Sequence, residues 1–244
     1  MLFIIYINNG GILMDRVKLK KETKKQLKGN WKMPVLLTLA YLIISIILSV
    51  IKDKNLFLSL IIFLIYSWAF IAIPKFYLEF LKKNGKVSFR DILVPKNKFL
   101  KALGFQIILG IISFVIIFIT TFSIIFLIMR YISDYNTVNI FGMIIATIFI
   151  ILILVAYIIF NYMISQIPYI IIEKDNIKLI DSVKLSSKLM KGNKWKYFVL
   201  QLSFIGLIIL SILTLGIGFL WLIPYISLTL TNFYKGLTEV ENTK

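Results

Sequence analysis

Cysteine and histidine are both absent from the 244-residue sequence. Their absence excludes disulfide bridges, thiol nucleophiles, zinc sites built on Cys or His, and acid–base catalysis by imidazole. Acidic residues are also scarce, at 11 Asp and Glu against 28 Lys and Arg. The few carboxylates form no paired motif, and the chain has neither a phosphate-binding loop nor a nucleophile elbow. We therefore expect a protein that is not an enzyme and has no catalytic residue, cofactor or metal ligand.

Charged residues of both signs are few, since they make up 16% of the chain while 59% is hydrophobic. A soluble domain has roughly 45–50% apolar and about 25% charged residues. The apolar residues form uncharged blocks of 18 or more residues, which are long enough to cross a bilayer and lack the polar face that a soluble helix needs. The composition predicts an all-α, polytopic transmembrane helical bundle.

The uncharged blocks predict six membrane spans, at about 33–51, 56–76, 102–129, 138–165, 198–214 and 219–234. The stretch 197–234 must break, because one helix of that length would measure about 57 Å against a hydrocarbon core of about 30 Å. The stretch 135–172 is equally long, and we expect it to kink or end near its proline. Helix breaks or kinks are predicted at Pro74, Pro168, Gly216, Gly218 and Pro224.

Basic residues are distributed very unevenly between the two ends of these spans. Of the 28 Lys and Arg, 25 lie in the N-terminal segment, in 75–101, in 173–197 and in the C-terminal segment. The opposite side has only Lys52, Lys54 and Arg130. Short loops rich in Lys and Arg stay in the cytoplasm. We therefore expect both termini, and basic interfacial helices, on the cytoplasmic side.

Two basic segments end in a shared Lys-Gly-Asn pattern next to a tryptophan: Gly29, Asn30 and Trp31 before the first span, and Gly192, Asn193 and Trp195 before the fifth. Gly and Asn tolerate the left-handed conformation that ends helices, and Trp favours the headgroup level. We interpret these segments as interfacial elbows, where a basic surface helix turns into a span. Residues 177–190 are expected to form such a helix, with Ile180, Val183, Ser187 and Met190 on its apolar face. In the alternative interpretation, both segments are solvated basic loops that only fix topology.

An Ile-Pro pair recurs within or just after every even-numbered span, at Ile73-Pro74, Ile167-Pro168 and Ile223-Pro224. Together with the elbows, it predicts three repeat units within one membrane domain, 14–235. The units cover about 14–78, 79–172 and 173–235. Residues 1–13 are predicted to be a dispensable N-terminal tail, and 236–244 a C-terminal tail.

No charged residue lies in the middle of a predicted span, which argues against an ion-coupled transporter. The polar residues within spans include Gln106, Asn161 and Gln201. We interpret them as intramembrane polar contacts between helices, worth about 0.6 kcal/mol each. The alternative is that they line a path for a substrate.

Three stretches carry a resemblance to a known family: LKGNWK after the basic N-terminal segment, SSKLMKGNKWKYF, and LQLSFIGLIILSILTLGIGFLWLIPY. They resemble the bacterial integral membrane family called domain of unknown function 975, over most of residues 15–235. The resemblance implies a multispan protein of the bacterial cell membrane. It implies no activity and supplies no catalytic residue.

The functional expectation is a non-enzymatic membrane protein whose basic cytoplasmic helices engage anionic lipid or a protein partner. Each Lys or Arg near an anionic surface contributes about 1 kcal/mol. The net charge of +17 is therefore attributed to the membrane and not to a nucleic acid partner. The alternative is a permease or lipid-handling transporter with a path between the repeat units.

Overall fold

The computed structural model describes residues 15–51, 55–133 and 140–242, and the tail predicted at 1–13 lies outside these ranges. Within them the chain is helical and contains no strand. The helices are α1 Arg16–Leu27, α2 Lys32–Ile51, α3 Leu56–Lys82, α4 Lys96–Ser133, α5 Ile140–Ile164, α6 Ile167–Glu173, α7 Leu179–Met190, α8 Lys194–Leu202, α9 Ile205–Leu213 and α10 Phe219–Asn242. A short 3-10 helix, Phe89–Ile92, lies between α3 and α4.

Five helical stretches of the described chain are long and apolar enough to cross a membrane: Lys32–Val50, Leu56–Lys82, Lys96–Met129, Phe141–Glu173 and Lys194–Leu213. The sixth predicted span is not among them. It falls in α10, where Thr229, Thr231 and Asn232 are buried against other helices. Because α10 carries polar side chains on a protein-facing surface, its apolar content is lower than that of the other five.

The buried core is concentrated at one end of the helices and not along their full length. There α3 packs against α6 and α10, and Tyr169 of α6 stacks on Tyr234 of α10 with ring centroids 4.9 Å apart. By contrast, apolar side chains along α4 and α5, such as Phe122 and Phe149, are exposed. Helices that are apolar all round, with little protein around them, need a hydrocarbon environment.

The break predicted near Pro168 is present between α5 and α6. Pro168 lies in the first turn of α6, where its missing N–H leaves no hydrogen bond unmade. Ser186 of α7 bridges the gap, because its hydroxyl donates to the Met163 carbonyl at 2.7 Å and lies 3.3 Å from the Gln166 N–H. The other two prolines, Pro74 and Pro224, lie inside α3 and α10, and both helices continue through them.

The break predicted at Gly216 and Gly218 is the turn between α9 and α10. Leu215 and Gly216 both adopt positive φ angles, of 53° and 87°. Gly218 has a different role, because a Cβ atom there would lie 2.8 Å from the Ser211 Cα atom. The first glycine allows the turn, and the second allows α9 and α10 to approach closely.

The segment expected to be a C-terminal tail is helical over most of its length, because α10 continues to Asn242. Leu237 is buried in the core, and Lys188 of α7 forms an ion pair with Glu241 at 2.5 Å. Burial of Leu237 and the ion pair with α7 fix the position of this segment, although its sequence is as polar as that of a tail.

The helices pack in a cyclic order. The first helix of each predicted repeat unit packs against the second helix of the unit before it: α2 on α10, α4 on α3, and α8 on α5. The segments that precede these first helices follow the same order, since α1 packs on α10, the 3-10 helix on α3, and α7 on α5 and α6.

Candidate functional site

The two predicted elbows share one backbone geometry. Gly29 and Gly192 adopt φ angles of 83° and 78°. Asn30 and Asn193 each donate a backbone N–H to the carbonyl three residues earlier, at 2.9 and 3.1 Å. Their side-chain amides each donate to the carbonyl four residues earlier, at 3.1 and 3.0 Å. The shared motif therefore ends α1 and α7 by the same hydrogen bonds.

The elbow tryptophans have different surroundings. Trp31 is half-buried and packs against the core. Trp195 is 71% exposed, and its ring centroid lies 5.1 Å from that of Phe198. The difference arises because side chains of α9 and α10 lie beside Trp31. The sequence motif alone gives no sign of this neighbour.

Helix α7 covers most of the segment expected to be an interfacial helix, and the face that it buries against the protein includes Met190 of the expected apolar face but not Ile180. Ser182, Ser186, Leu189 and Met190 are buried, whereas Ile180 is 68% exposed. The reason is the α5–α6 break, whose free backbone groups bond the Ser186 hydroxyl. In the sequence, the spacing of Ser182 and Ser186, four residues apart, could have indicated this buried face of α7.

Helix α1 docks on α10 through buried polar groups. Leu19, Thr23 and Leu27 form its buried face. The Asn232 side-chain amide of α10 donates to the Thr23 hydroxyl at 2.9 Å and to the Gln26 side-chain oxygen at 2.8 Å. Sequence reasoning did not identify Asn232, because a single Asn in an apolar block carries no indication of its partner.

The cations of α1 have no acidic partner in the described chain. The helix carries Arg16, Lys18, Lys20, Lys21, Lys24 and Lys25. None of these lies within 4 Å of a carboxylate among residues 15–51, 55–133 and 140–242. Burial, together with the nearby positive charges of Arg16 and Lys24, lowers the pKa of Lys20. Positive charge is therefore concentrated on α1, where the one acidic residue is Glu22.

The other basic segments are partly neutralised by ion pairs with one another. Lys98 at the start of α4 pairs with Asp175 at 2.7 Å, and Lys235 of α10 pairs with Glu173. Lys83 pairs with Asp91 of the 3-10 helix, and this cation together with the Ser88 N–H lowers the pKa of Asp91. Segments that are distant in sequence are thus held together at one end of the molecule.

Lys20 and Lys24 lie over the junction of α8, α9 and α10. The Lys20 ammonium group donates to the Ser203 carbonyl at 2.7 Å and lies 4.1 Å from the centre of the Phe204 ring. The Tyr225 hydroxyl donates to the Lys20 carbonyl at 3.4 Å, and its ring lies 5.9 Å from the Lys24 ammonium group. We refer to Lys20, Lys24, Ser203, Phe204 and Tyr225 as the collar.

A cavity of about 320 Å³ opens beside the collar, between α1, α9 and α10. Its walls are mainly apolar, and among the residues that the structure describes Lys24 is the one charged residue that lines it. The other lining residues are Trp31, Leu207, Leu210, Ser211, Thr214, Gly218, Trp221, Leu222 and Tyr225. An amphipathic molecule with one negative end matches this combination of apolar wall and single cation.

The three polar residues singled out within spans make separate contacts. The Ser67 hydroxyl of α3 donates to the Gln106 side-chain oxygen of α4 at 2.6 Å, which is a contact between helices. The Asn161 amide donates to the Tyr157 carbonyl of its own helix at 2.8 Å. Gln201 lies beside the Tyr197 side chain, also within one helix. Among the described residues, no group of three or more acidic side chains could hold a metal ion.

Comparison with known protein families gives a match over nearly the whole chain. The family model described as protein of unknown function DUF975 matches residues 14–241. No curated protein and no solved structure matches the chain.

Proposed function

The chain belongs to the DUF975 family of proteins of unknown function, and we propose that it is a non-enzymatic multipass membrane protein that holds anionic phospholipid against α1. The observation that carries this proposal is the set of α1 cations without acidic partners beside an apolar cavity. The absence of His and Cys from the sequence supports a role without catalysis.

Charge complementarity favours lipid as the counter-ion of α1. The helix places six cations in 12 residues, with Glu22 as its one acid. At about 1 kcal/mol for each cation near an anionic surface, α1 alone gains several kcal/mol there. The remaining basic segments gain less, because several of their cations already pair with Asp or Glu.

The cavity provides a specific binding site for an anionic phospholipid beside the cations of α1. A phosphate at the Lys24 ammonium group would leave an acyl chain beside Leu207, Leu210 and Leu222, which line the apolar wall. Trp31, just before the start of α2, lines the same cavity. Tryptophan rings favour this depth, where hydrocarbon meets headgroups.

We further propose that the basic end faces the cytoplasm of a bacterial cell, with both termini on that side. The ion pairs that join the start of α4, the end of α6, α7 and α10 support a common side for these segments. The 25 basic residues assigned to this side, against three on the other, favour the cytoplasm.

The cyclic packing order supports a three-unit internal repeat. In each predicted unit the first helix packs on the preceding unit, and α1 and α7 end in the same elbow. The second unit shares the packing but begins with a 3-10 helix instead of a basic α-helix. Such repeats are a common way to build membrane proteins. The transporter alternative receives no comparable support, because Gln106, Asn161 and Gln201 make separate contacts.

The test is lipid-dependent stability of the purified protein in detergent. Anionic phospholipid should raise the unfolding temperature more than zwitterionic phospholipid of the same chain length, and added salt should reduce the difference. The variant Lys18→Gln/Lys21→Gln/Lys25→Gln should lose most of this difference.

A control with the same charge change is available on the opposite side, in Lys52→Gln/Lys54→Gln/Arg130→Gln. It should respond to anionic lipid as the wild type does. Equal stabilisation by both lipid classes, or equal loss in both variants, would rule out a lipid site at α1. Recovery of a stoichiometric protein with the wild type, lost in the α1 variant, would favour a protein partner instead.

A further inference from the structure

We propose that the α9–α10 hairpin enters the membrane from the basic side, reaches about half of its depth, and returns without crossing. The hairpin consists of α9, the turn at Thr214–Gly218, and the first two turns of α10. Its partner is the hydrocarbon of the leaflet next to α1. This arrangement replaces the fifth and sixth predicted spans by one re-entrant segment.

The collar fixes where the hairpin meets the membrane surface. Lys20 bonds the Ser203 carbonyl immediately before α9, and Tyr225 of α10 bonds the Lys20 carbonyl. Both helices of the hairpin are therefore tied to α1 at the end opposite the turn. Arg16, Lys18 and Lys21 of α1 are exposed. A helix with this many exposed cations cannot enter hydrocarbon, where each one costs at least about 2.5 kcal/mol.

The stretch Lys194–Leu213 is long enough to cross a membrane, but the part of it between the collar and the turn is too short for a full crossing. Helix α9 has nine residues, from Ile205 to Leu213, and at 1.5 Å per residue it measures about 13.5 Å. The hydrocarbon core is about 30 Å thick. By the same measure α2 has 20 residues and extends about 30 Å. The α9–α10 turn therefore lies near the middle of the bilayer if the collar is at its surface.

The side chains of the turn suit hydrocarbon and not water. Leu215 is 93% exposed, and Leu213 and Ile217 are largely exposed as well. No charged residue occurs between 197 and 234. The sequences that connect the other hairpins are different, since 52–54 is Lys-Asp-Lys, and Arg130 and Asp134 lie at or near the α4–α5 connection. Only the α9–α10 turn lacks a charge that would hold it at a water-facing surface.

The backbone of the turn is also satisfied internally. Each N–H group from Thr214 to Phe219 donates to an acceptor within the hairpin, at distances of 2.9–3.2 Å. For Gly218 that acceptor is the Thr214 hydroxyl, and the Thr214 hydroxyl itself donates to the Ser211 carbonyl at 2.8 Å. Backbone donors left free in hydrocarbon cost several kcal/mol each, so an internally bonded turn is what this position requires.

Thiol labelling tests the proposal directly, because the native chain has no cysteine and any introduced thiol is unique. Three variants are expressed in cells: Leu215→Cys at the turn, Leu56→Cys at the first residue of α3, and Lys86→Cys in the loop after α3. A membrane-impermeant maleimide is applied to intact cells and to inverted vesicles. Leu56→Cys and Lys86→Cys should react from opposite sides.

The expected result is that Leu215→Cys reacts from neither side and reacts fully after denaturation in detergent. Labelling from the same side as Leu56→Cys would show a full crossing and overturn the proposal. Labelling from the same side as Lys86→Cys would show a hairpin outside the bilayer and overturn it equally. Ile217→Cys is the second variant if Leu215→Cys is not produced, with the same outcomes.

Discussion

The contact of Asn232 with α1 predicts that one substitution on α10 releases the basic helix. Asn232 is 1% exposed, and its amide makes two hydrogen bonds shorter than 3.0 Å to Thr23 and Gln26. Replacement by Ala removes both bonds and leaves the Gln26 side-chain oxygen without its donor.

The magnitude follows from the usual net value of a hydrogen bond. At about 1 kcal/mol for each bond, Asn232→Ala weakens the docking of α1 by about 2 kcal/mol. A free-energy change of 1.4 kcal/mol is a tenfold change in an equilibrium constant, so the undocked population rises by about 30-fold. Because α1 contains six trypsin sites in 12 residues, cleavage measures this population directly.

The assay is limited trypsin digestion of the purified protein, with the rate of cleavage within α1 followed by mass spectrometry. The control is Asn161→Ala, where the lost amide bonds only its own helix. Asn232→Ala should raise the cleavage rate about 30-fold, and Asn161→Ala should leave it unchanged. Equal rates in both variants would refute the docking of α1 by Asn232.

Two further predictions concern the hairpin and the basic end. Gly218→Ala should destabilise the protein by about 1–3 kcal/mol in thermal unfolding, because the new Cβ atom would lie 2.8 Å from the Ser211 Cα atom of α9. The control is Gly206→Ala, whose new Cβ atom has no neighbour within 4 Å, and this variant should not lower the unfolding temperature. The ion pair with Lys83 holds the pKa of Asp91 below its ordinary value of 3.8. The ionised Asp91 carboxylate therefore stabilises the fold above pH 3.8, and this contribution is lost as the pH falls through the folded pKa. Asp91→Asn should therefore lower the unfolding temperature at pH 7 and reduce the further loss on acidification.

The helices and two of their breaks could be predicted because they depend on local chemistry, whereas Pro74 and Pro224 lie inside helices that continue. The breaks before Pro168 and at Gly216 follow from a missing N–H and from positive φ angles. The elbows likewise follow from the conformational freedom of Gly29 and Gly192. These effects act within a few residues, so their signals are contained in short stretches of sequence.

The packing of the basic end could not be predicted, because it depends on partners distant in the chain. The buried face of α7 is set by the Ser186 bonds to the α5–α6 break, and not by the most apolar residues of α7. The depth of the α9–α10 hairpin depends on Lys20, which lies 183 residues before Ser203. Hydropathy alone gives the length of an apolar stretch. It does not show where along that stretch another helix, here α1, binds it at the membrane surface.

The lipid that remains bound to the protein is the most direct test of the proposed role. Native mass spectrometry of the protein released from mild detergent should show retained anionic phospholipid in preference to zwitterionic phospholipid. Lys24→Gln, at the rim of the cavity, should reduce this retention. Lys184→Gln makes the same change on α7, away from the cavity lining, and should retain lipid as the wild type does. Retention of both lipid classes in proportion to the membrane, unchanged in Lys24→Gln, would contradict a lipid site at α1.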